Sequence, residues 1–212
     1  MRSRDCRFLH VLCVVLLSYT NRKSTAMSDH HTFGQIAITG LAGLLLMAAS
    51  PGSARAEVKS VAPSGFEVVD TVTIAAPPQR VYAALGEIGQ WWSSAHTFSR
   101  DATNLSLDLK AGGCFCERLK DGGSVQHLLV VYAAPGEGLR LRGALGPLQM
   151  EGVDGTLAWA LKPSEGGTKV TQSYVVGGYV RSGMDQWAPK VDRVLHEQLD
   201  RLTSFAEGKP LN

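Results

Sequence analysis

Read with a 3.6-residue period, the stretch Met184 to Glu207 gathers its apolar residues on one broad stripe. Met184, Trp187, Ala188, Val191, Val194, Leu195, Leu199, Leu202, Phe205 and Ala206 form it. Asp185, Asp192, Arg193, Glu197, Asp200 and Arg201 fall largely on the other side, with Glu197 and Arg201 spaced as an i,i+4 pair. Gly183 precedes the pattern and Gly208-Lys209-Pro210 stops it. The spacing predicts one long amphipathic helix whose wide apolar face needs something to cover. Two readings are open: a helix packed on a sheet with no space between, or a helix lying over a curved sheet as the lid of a cavity.

Upstream, Phe66 to Ala75 alternates, with Val68, Val72 and Ile74 on one face and Thr71 and Thr73 on the other, which predicts a strand. Pro77-Pro78 ends it and pre-sets a helix start; Val81, Tyr82, Ala84, Leu85 and Ile88 then predict about three helical turns, stopped by Gly89. Trp91-Trp92 begins a second short turn or helix, and being adjacent the two rings are expected not both to face inward. After a polar loop, strands are predicted over 105–110, 114–120, 124–133, 138–143, 153–162 and 168–176, separated by Gly-, Pro- and Asp-rich turns. Residues 57–65 are expected to be a short polar lead-in. Tight turns throughout imply an antiparallel meander of about seven strands with no second sheet, and a strongly curved sheet gripping the final helix satisfies the pattern.

The first quarter of the chain reads differently. Ile36 to Ser50 is an apolar run of about 15 residues, short of the ~20 a membrane span needs, followed by Pro51-Gly52 and by Ala54 and Ala56 in an A-x-A arrangement. Residues 1–56 are therefore expected to be a leader with signal cleavage near Ala56, Met27 being the expected true start, and no stable membrane span is expected afterwards. The protein is then periplasmic or secreted, with an uncleaved anchor as the alternative. Six of the 21 Lys+Arg and two of the 19 Asp+Glu precede residue 57, leaving 15 basic and 17 acidic residues, net −2. A mildly acidic domain without basic runs is a poor nucleic-acid binder. Of four cysteines, Cys6 and Cys13 leave with the leader; Cys114 and Cys116, i,i+2 in a strand, are expected to be packed thiols, or else to bridge between molecules. Two cysteines fall short of a zinc set, and His96, His127 and His196 show no ligand spacing with them, so no metal or other cofactor is expected.

The order of elements, the segment IAAPPQRVYAAL, the Gly-Gly before CFCE and the final helix resemble the START-like (SRPBCC) superfamily over about residues 66–207. The pair Trp91-Trp92, the GGxFxE segment and the ending VDxVLxxQLxRL are similar to the branch of activators of the heat-shock chaperone ATPase. The resemblance implies an α+β helix-grip fold with a cavity between the sheet and the C-terminal helix. The domain would occupy residues 66–207, with 208–212 as a tail. An exported domain would not meet a cytosolic ATPase, so the resemblance carries the fold and not that activity.

Local chemistry is sparse. A three-residue loop at Asp121-Gly122-Gly123 would set the Cys114–Ala133 hairpin in a register with i + j = 244, so that Glu117 faces His127. Phe115 with Leu129 and Leu119 with Val125 would flank them on the same face. Such an acid–imidazole pair among apolar residues could orient a ligand or shuttle a proton, or only satisfy itself. Trp92, Trp159, Tyr174, Trp187, Val191 and Leu195 are further candidates for a cavity wall, plain core being the alternative for the aromatics. Gly177 to Gly183, with Tyr179 and Arg181, reads as a gate or a surface loop. No phosphate-cradling Gly-rich loop, G-x-S-x-G or H-E-x-x-H is present. The expectation is a single domain binding a small apolar or amphipathic molecule. A cyclase-, dehydratase- or isomerase-type enzyme using Glu117 and His127, and a protein-interaction module, are the alternatives; oligomeric state is left open.

Overall fold

The computed structural model describes residues 57–211, so the expected leader and cleavage position, with Cys6 and Cys13, lie outside the described residues. The chain forms β1 (Glu57–Ala62), β2 (Gly65–Ile74), α1 (Pro78–Gly86), α2 (Ile88–Trp91) and β3 (Leu105–Leu107). It continues through β4 (Cys114–Arg118), β5 (Ser124–Ala134), β6 (Gly138–Arg142), β7 (Gly152–Ser164) and β8 (Gly167–Tyr179) to α3 (Met184–Ala206). One antiparallel eight-stranded sheet runs in the order β1-β2-β8-β7-β6-β5-β4-β3. The meander from β3 to β8 closes back onto β2, which pairs with β8 from Gly65↔Gly177 to Ile74↔Thr168. The crossing from β2 to β3 carries α1 and α2, and α3 packs across the sheet, making the α+β helix grip.

The expected lead-in is a strand. β1 pairs with β2 at the sheet edge, with its register broken between Val58 and Ser60; the bulge and the polar Lys59 and Ser60 remove the alternation that would have marked it. The sheet therefore has eight strands rather than about seven. Gly177 to Tyr179, read as part of a gate, extend β8 against Gly152–Asp154 of β7.

The hairpin of β4 and β5 departs from the expected register in an instructive way. Its loop is longer, Leu119 to Gly123, closed by a Leu119 N–H bond to the Gly123 carbonyl at 2.8 Å. Asp121 (φ 56°) and Gly122 (φ 79°) take left-handed conformations that an Asp-Gly pair tolerates. Glu117 consequently pairs with Val125, and Cys116 with Gln126; the register then slips, so that Phe115 pairs with Leu128 and His127 is the extra residue of a β-bulge. Beyond the bulge the inner face changes parity: Leu128 is fully buried and Leu129 is 38 % exposed on the outer face. Leu129, expected beside Phe115 on the inner face, is thus displaced by its neighbour.

Two further expectations are corrected. Trp91 and Trp92 are both buried, because α2 ends at Trp91 and Trp92 is already extended (φ −61°, ψ 142°), which splays consecutive side chains in different inward directions. Cys114 and Cys116 are joined in a disulfide. Their Cα atoms are 5.3 Å apart, closer than the ~6.6 Å of two steps along an ideal strand and inside the disulfide range.

Leu128→Ala is expected to cost about 2–5 kcal/mol in urea unfolding, and Leu129→Ala under about 1 kcal/mol. An unbulged strand would reverse that order.

Candidate functional site

A cavity of about 500 Å³ lies between the inner sheet face and the first half of α3, within the range of small-ligand sites. Trp92, Phe115, His127, Tyr174, Trp187, Val191 and Leu195 line it, as expected of a cavity wall. Three other expected residues do not. Leu129 points outward; Glu117 sits behind His127; Trp159 is core, its indole N–H donating to Gln172 Oε1 at 2.8 Å. The wall also includes Ala95 to Phe98 and Leu145 to Leu148. Phe98, a lone aromatic in a polar loop, was the available signal for the first segment; Gly146-Pro147 read only as a turn.

Each wall element has a reason to stand where it does. Tyr174, on the inner face of β8, donates its hydroxyl to the Gly143 carbonyl at 2.9 Å and accepts the Leu145 N–H at 3.0 Å, drawing the Leu145 segment over one end of the cavity. Its ring passes over Gly155 of β7, where a Cβ would lie 2.6 Å from a ring carbon. Trp92 meets Phe115 edge-on, with centroids 5.4 Å apart. Gln172 and Gln198, both buried, hold α3 from either side: Gln172 donates to the Leu195 carbonyl at 2.9 Å, and Gln198 Oε1 accepts the Ser93 N–H at 2.8 Å.

The bulge places His127 beside Glu117 although they are not cross-strand partners. Nε2 of His127 is 3.0 Å from Glu117 Oε2, with both side chains almost fully buried. The same carboxylate accepts the Phe98 N–H at 3.1 Å and the Ser99 N–H at 2.5 Å. Burial pushes the Glu117 carboxyl up, but the Ser99 and Phe98 donors and His127 outweigh it and leave it below the ordinary carboxylate range. Burial pushes the His127 imidazole down, opposed in part by Glu117. His127 lies between two rings, Phe115 at 4.9 Å and Phe98 stacked at 5.8 Å, and its Nδ1 is buried without a partner. The pair can therefore present a neutral imidazole, braced by an anion, to a molecule in an apolar cavity.

A second acid–imidazole contact lies elsewhere, between buried Asp70 Oδ2 of β2 and Nδ1 of His196 on α3 at 3.1 Å. Burial raises the Asp70 carboxyl against the pull of His196. Among the described residues no group of three or more His, Cys, Asp or Glu could hold a metal ion. No helix there is long and apolar enough to cross a membrane.

The family model described as polyketide cyclase/dehydrase and lipid transport matches residues 65–207. No curated protein matches the chain. Many solved structures do. A protein of unknown function from Staphylococcus aureus is 15 % identical, covering 68 % of this chain and 94 % of its own, with a TM-score of 0.51. An uncharacterised protein from Rhizobium leguminosarum is 20 % identical over 74 % of this chain and 99 % of its own, with a TM-score of 0.48. The protein CalU16 from Micromonospora echinospora is 16 % identical over 74 % and 86 %, with a TM-score of 0.49. At these identities the likeness is one of fold.

The two shifts fix a pH dependence. The unfolded imidazole takes up a proton near pH 6.5 that folded His127 resists, so stability falls as pH drops below about 6.5. Glu117 adds to the loss below about pH 4.3, where the unfolded carboxylate protonates first. Asp70, raised, works in the opposite sense but is common to a variant lacking His127. Urea unfolding at pH 7 and 5 is expected to show a larger loss for the wild type than for His127→Phe. Equal losses would mean that folded His127 titrates like an unfolded one.

Proposed function

Because the chain belongs to the polyketide cyclase/dehydrase and lipid transport family, we propose that it binds a small apolar or amphipathic molecule between the sheet and α3. One observation carries this reading. The chain folds around about 500 Å³ of space walled chiefly by Trp92, Phe115, Tyr174, Trp187, Val191 and Leu195, when closer packing of the same stripe would bury more apolar surface. A protein that keeps such a space against the packing tendency of its own side chains has a use for it.

Export is part of the same proposal. Residues 1–56 act as a leader, removed near Ala56, and the domain works outside the cytoplasm, periplasmic or secreted. The cysteine pair bonded within β4 suits such an oxidising location.

A catalytic reading has one observation in its favour, the braced imidazole of His127 at the cavity wall. It would make Glu117 and His127 a general acid/base pair of a cyclase- or dehydratase-type reaction. The binding reading needs fewer groups and stands first.

Native mass spectrometry of the protein, exported by its own leader and purified without detergent, tests both parts of the proposal. The expected result is a mass beginning at Glu57 plus an adduct lost on denaturation. A retained leader would overturn export. Val191→Trp, which projects an indole into the cavity, is expected to weaken uptake of an apolar fluorescent probe by about ten-fold or more while the domain stays folded. Unchanged uptake would place the ligand elsewhere.

A further inference from the structure

Polar groups on a cavity wall restrict what can fill it, because an occupant must satisfy them or leave them stranded. Here almost all of them are already engaged. The Tyr174 hydroxyl is bonded to Gly143 and Leu145. His96 Nε2 meets Glu197 Oε2 at 2.9 Å, and the Thr97 hydroxyl donates to the Ser94 carbonyl at 2.9 Å. Lys190 is exposed, with its ammonium over the Trp187 ring. His127 differs, since its Nδ1 is buried and has no partner.

The chemistry of that nitrogen follows from its surroundings. Glu117 receives two backbone N–H groups, an arrangement that favours the carboxylate, and a carboxylate can only accept. The 3.0 Å contact to His127 then requires the proton to sit on Nε2. In a neutral imidazole the other nitrogen carries a lone pair and no hydrogen. Nδ1 therefore offers an acceptor, and burial against Phe98 and Phe115 disfavours its conversion to a donor by protonation.

We propose that the occupant of this cavity is an apolar compound carrying a neutral hydroxyl, and that Nδ1 of His127 accepts that hydroxyl's hydrogen. The inference rests on the cavity reading above and narrows it. A carboxylate in the same place would set an anion against a lone pair, with the Glu117 charge directly behind it. A ketone or an ether would bring a second acceptor. Of the two rings against the imidazole, Phe115 is buried and fixed, whereas Phe98 is 52 % exposed. Side-chain rotation of an exposed ring is fast, so of the two rings Phe98 is the one that can give way as a hydroxyl approaches the imidazole.

Three naphthalene probes separate the outcomes by calorimetric titration of the purified protein: 2-naphthol, its methyl ether 2-methoxynaphthalene, and 2-naphthoate. The wild type is expected to bind 2-naphthol about ten-fold tighter than the ether, the worth of one satisfied buried hydrogen bond. In His127→Phe, which keeps an apolar ring, the two are expected to bind within about two-fold of each other. Equal binding of naphthol and ether by the wild type would overturn the inference and leave the cavity reading standing. Tightest binding of naphthoate would overturn it in favour of an anionic ligand meeting Lys190. Binding of none of the three would remove the cavity reading as well. The wild type alone gives a second check: long-range 15N–1H correlations of the imidazole should show hydrogen on Nε2 and none on Nδ1, and the opposite tautomer would end the proposal.

Discussion

Glu117 is 1 % exposed, and a carboxylate so placed is tolerable only when its lone pairs are met by donors. Two of its donors are amides of the loop after α2, and the third is the imidazole of the bulged residue in β5. A single side chain on β4 therefore fastens a neighbouring strand and a distant loop to one point. The aromatic wall is arranged around that point, with Phe98 and Phe115 against the imidazole and Trp92 edge-on to Phe115. Loss of the carboxylate would strand three donors at once, two of them on the Phe98 side of the wall.

The apolar stripe of α3 accounts for its burial but not for the space beneath it. Buried amides supply what the stripe lacks. Gln172 rises from the sheet to a carbonyl of the helix while also accepting the Trp159 indole N–H, and Gln198 reaches from the helix to the Ser93 N–H just after α2. These bonds have fixed lengths, whereas hydrophobic contact has none, and so they set how closely the helix can approach. Tyr174 does the same for the Leu145 segment.

Much of this was legible in the sequence, for physical reasons that can be named. Turn residues bracketed each strand from β4 to β8, and the period of α3 was long enough to leave no ambiguity in its face. Glu117 and His127 were placed on one face although their register was misread, because the expected and observed pairing sums, 244 and 242, have the same parity. Parity changes at the bulge, which is why an unbulged reading puts Leu129 on the inner face and Leu128 on the other, the reverse of what the structure has. The run Leu128-Leu129-Val130-Val131 is apolar without a break, so alternation could not reveal the slip. β1 was hidden by its polar residues and its own bulge. The inward turn of both Trp91 and Trp92 depends on a helix end that falls between them. The Phe98–Glu117 contact joins residues 19 apart in sequence through a loop with no pattern at all.

The fastenings of α3 are unevenly spread along its length. Leu195, Gln198, Arg201 and Phe205 each bond to the rest of the domain through backbone or side chain. The cavity-lining residues Trp187, Val191 and Val194 precede that group, and Pro189 interrupts the ladder of helix hydrogen bonds among them. The half of the helix with fewer polar fastenings is thus the half that lies over the cavity, held there by buried Met184 and Ala188. The wall residues and the residues that hold the helix in place are therefore largely different, so a substitution at Trp187 or Val191 reshapes the cavity without touching the bonds that fasten α3.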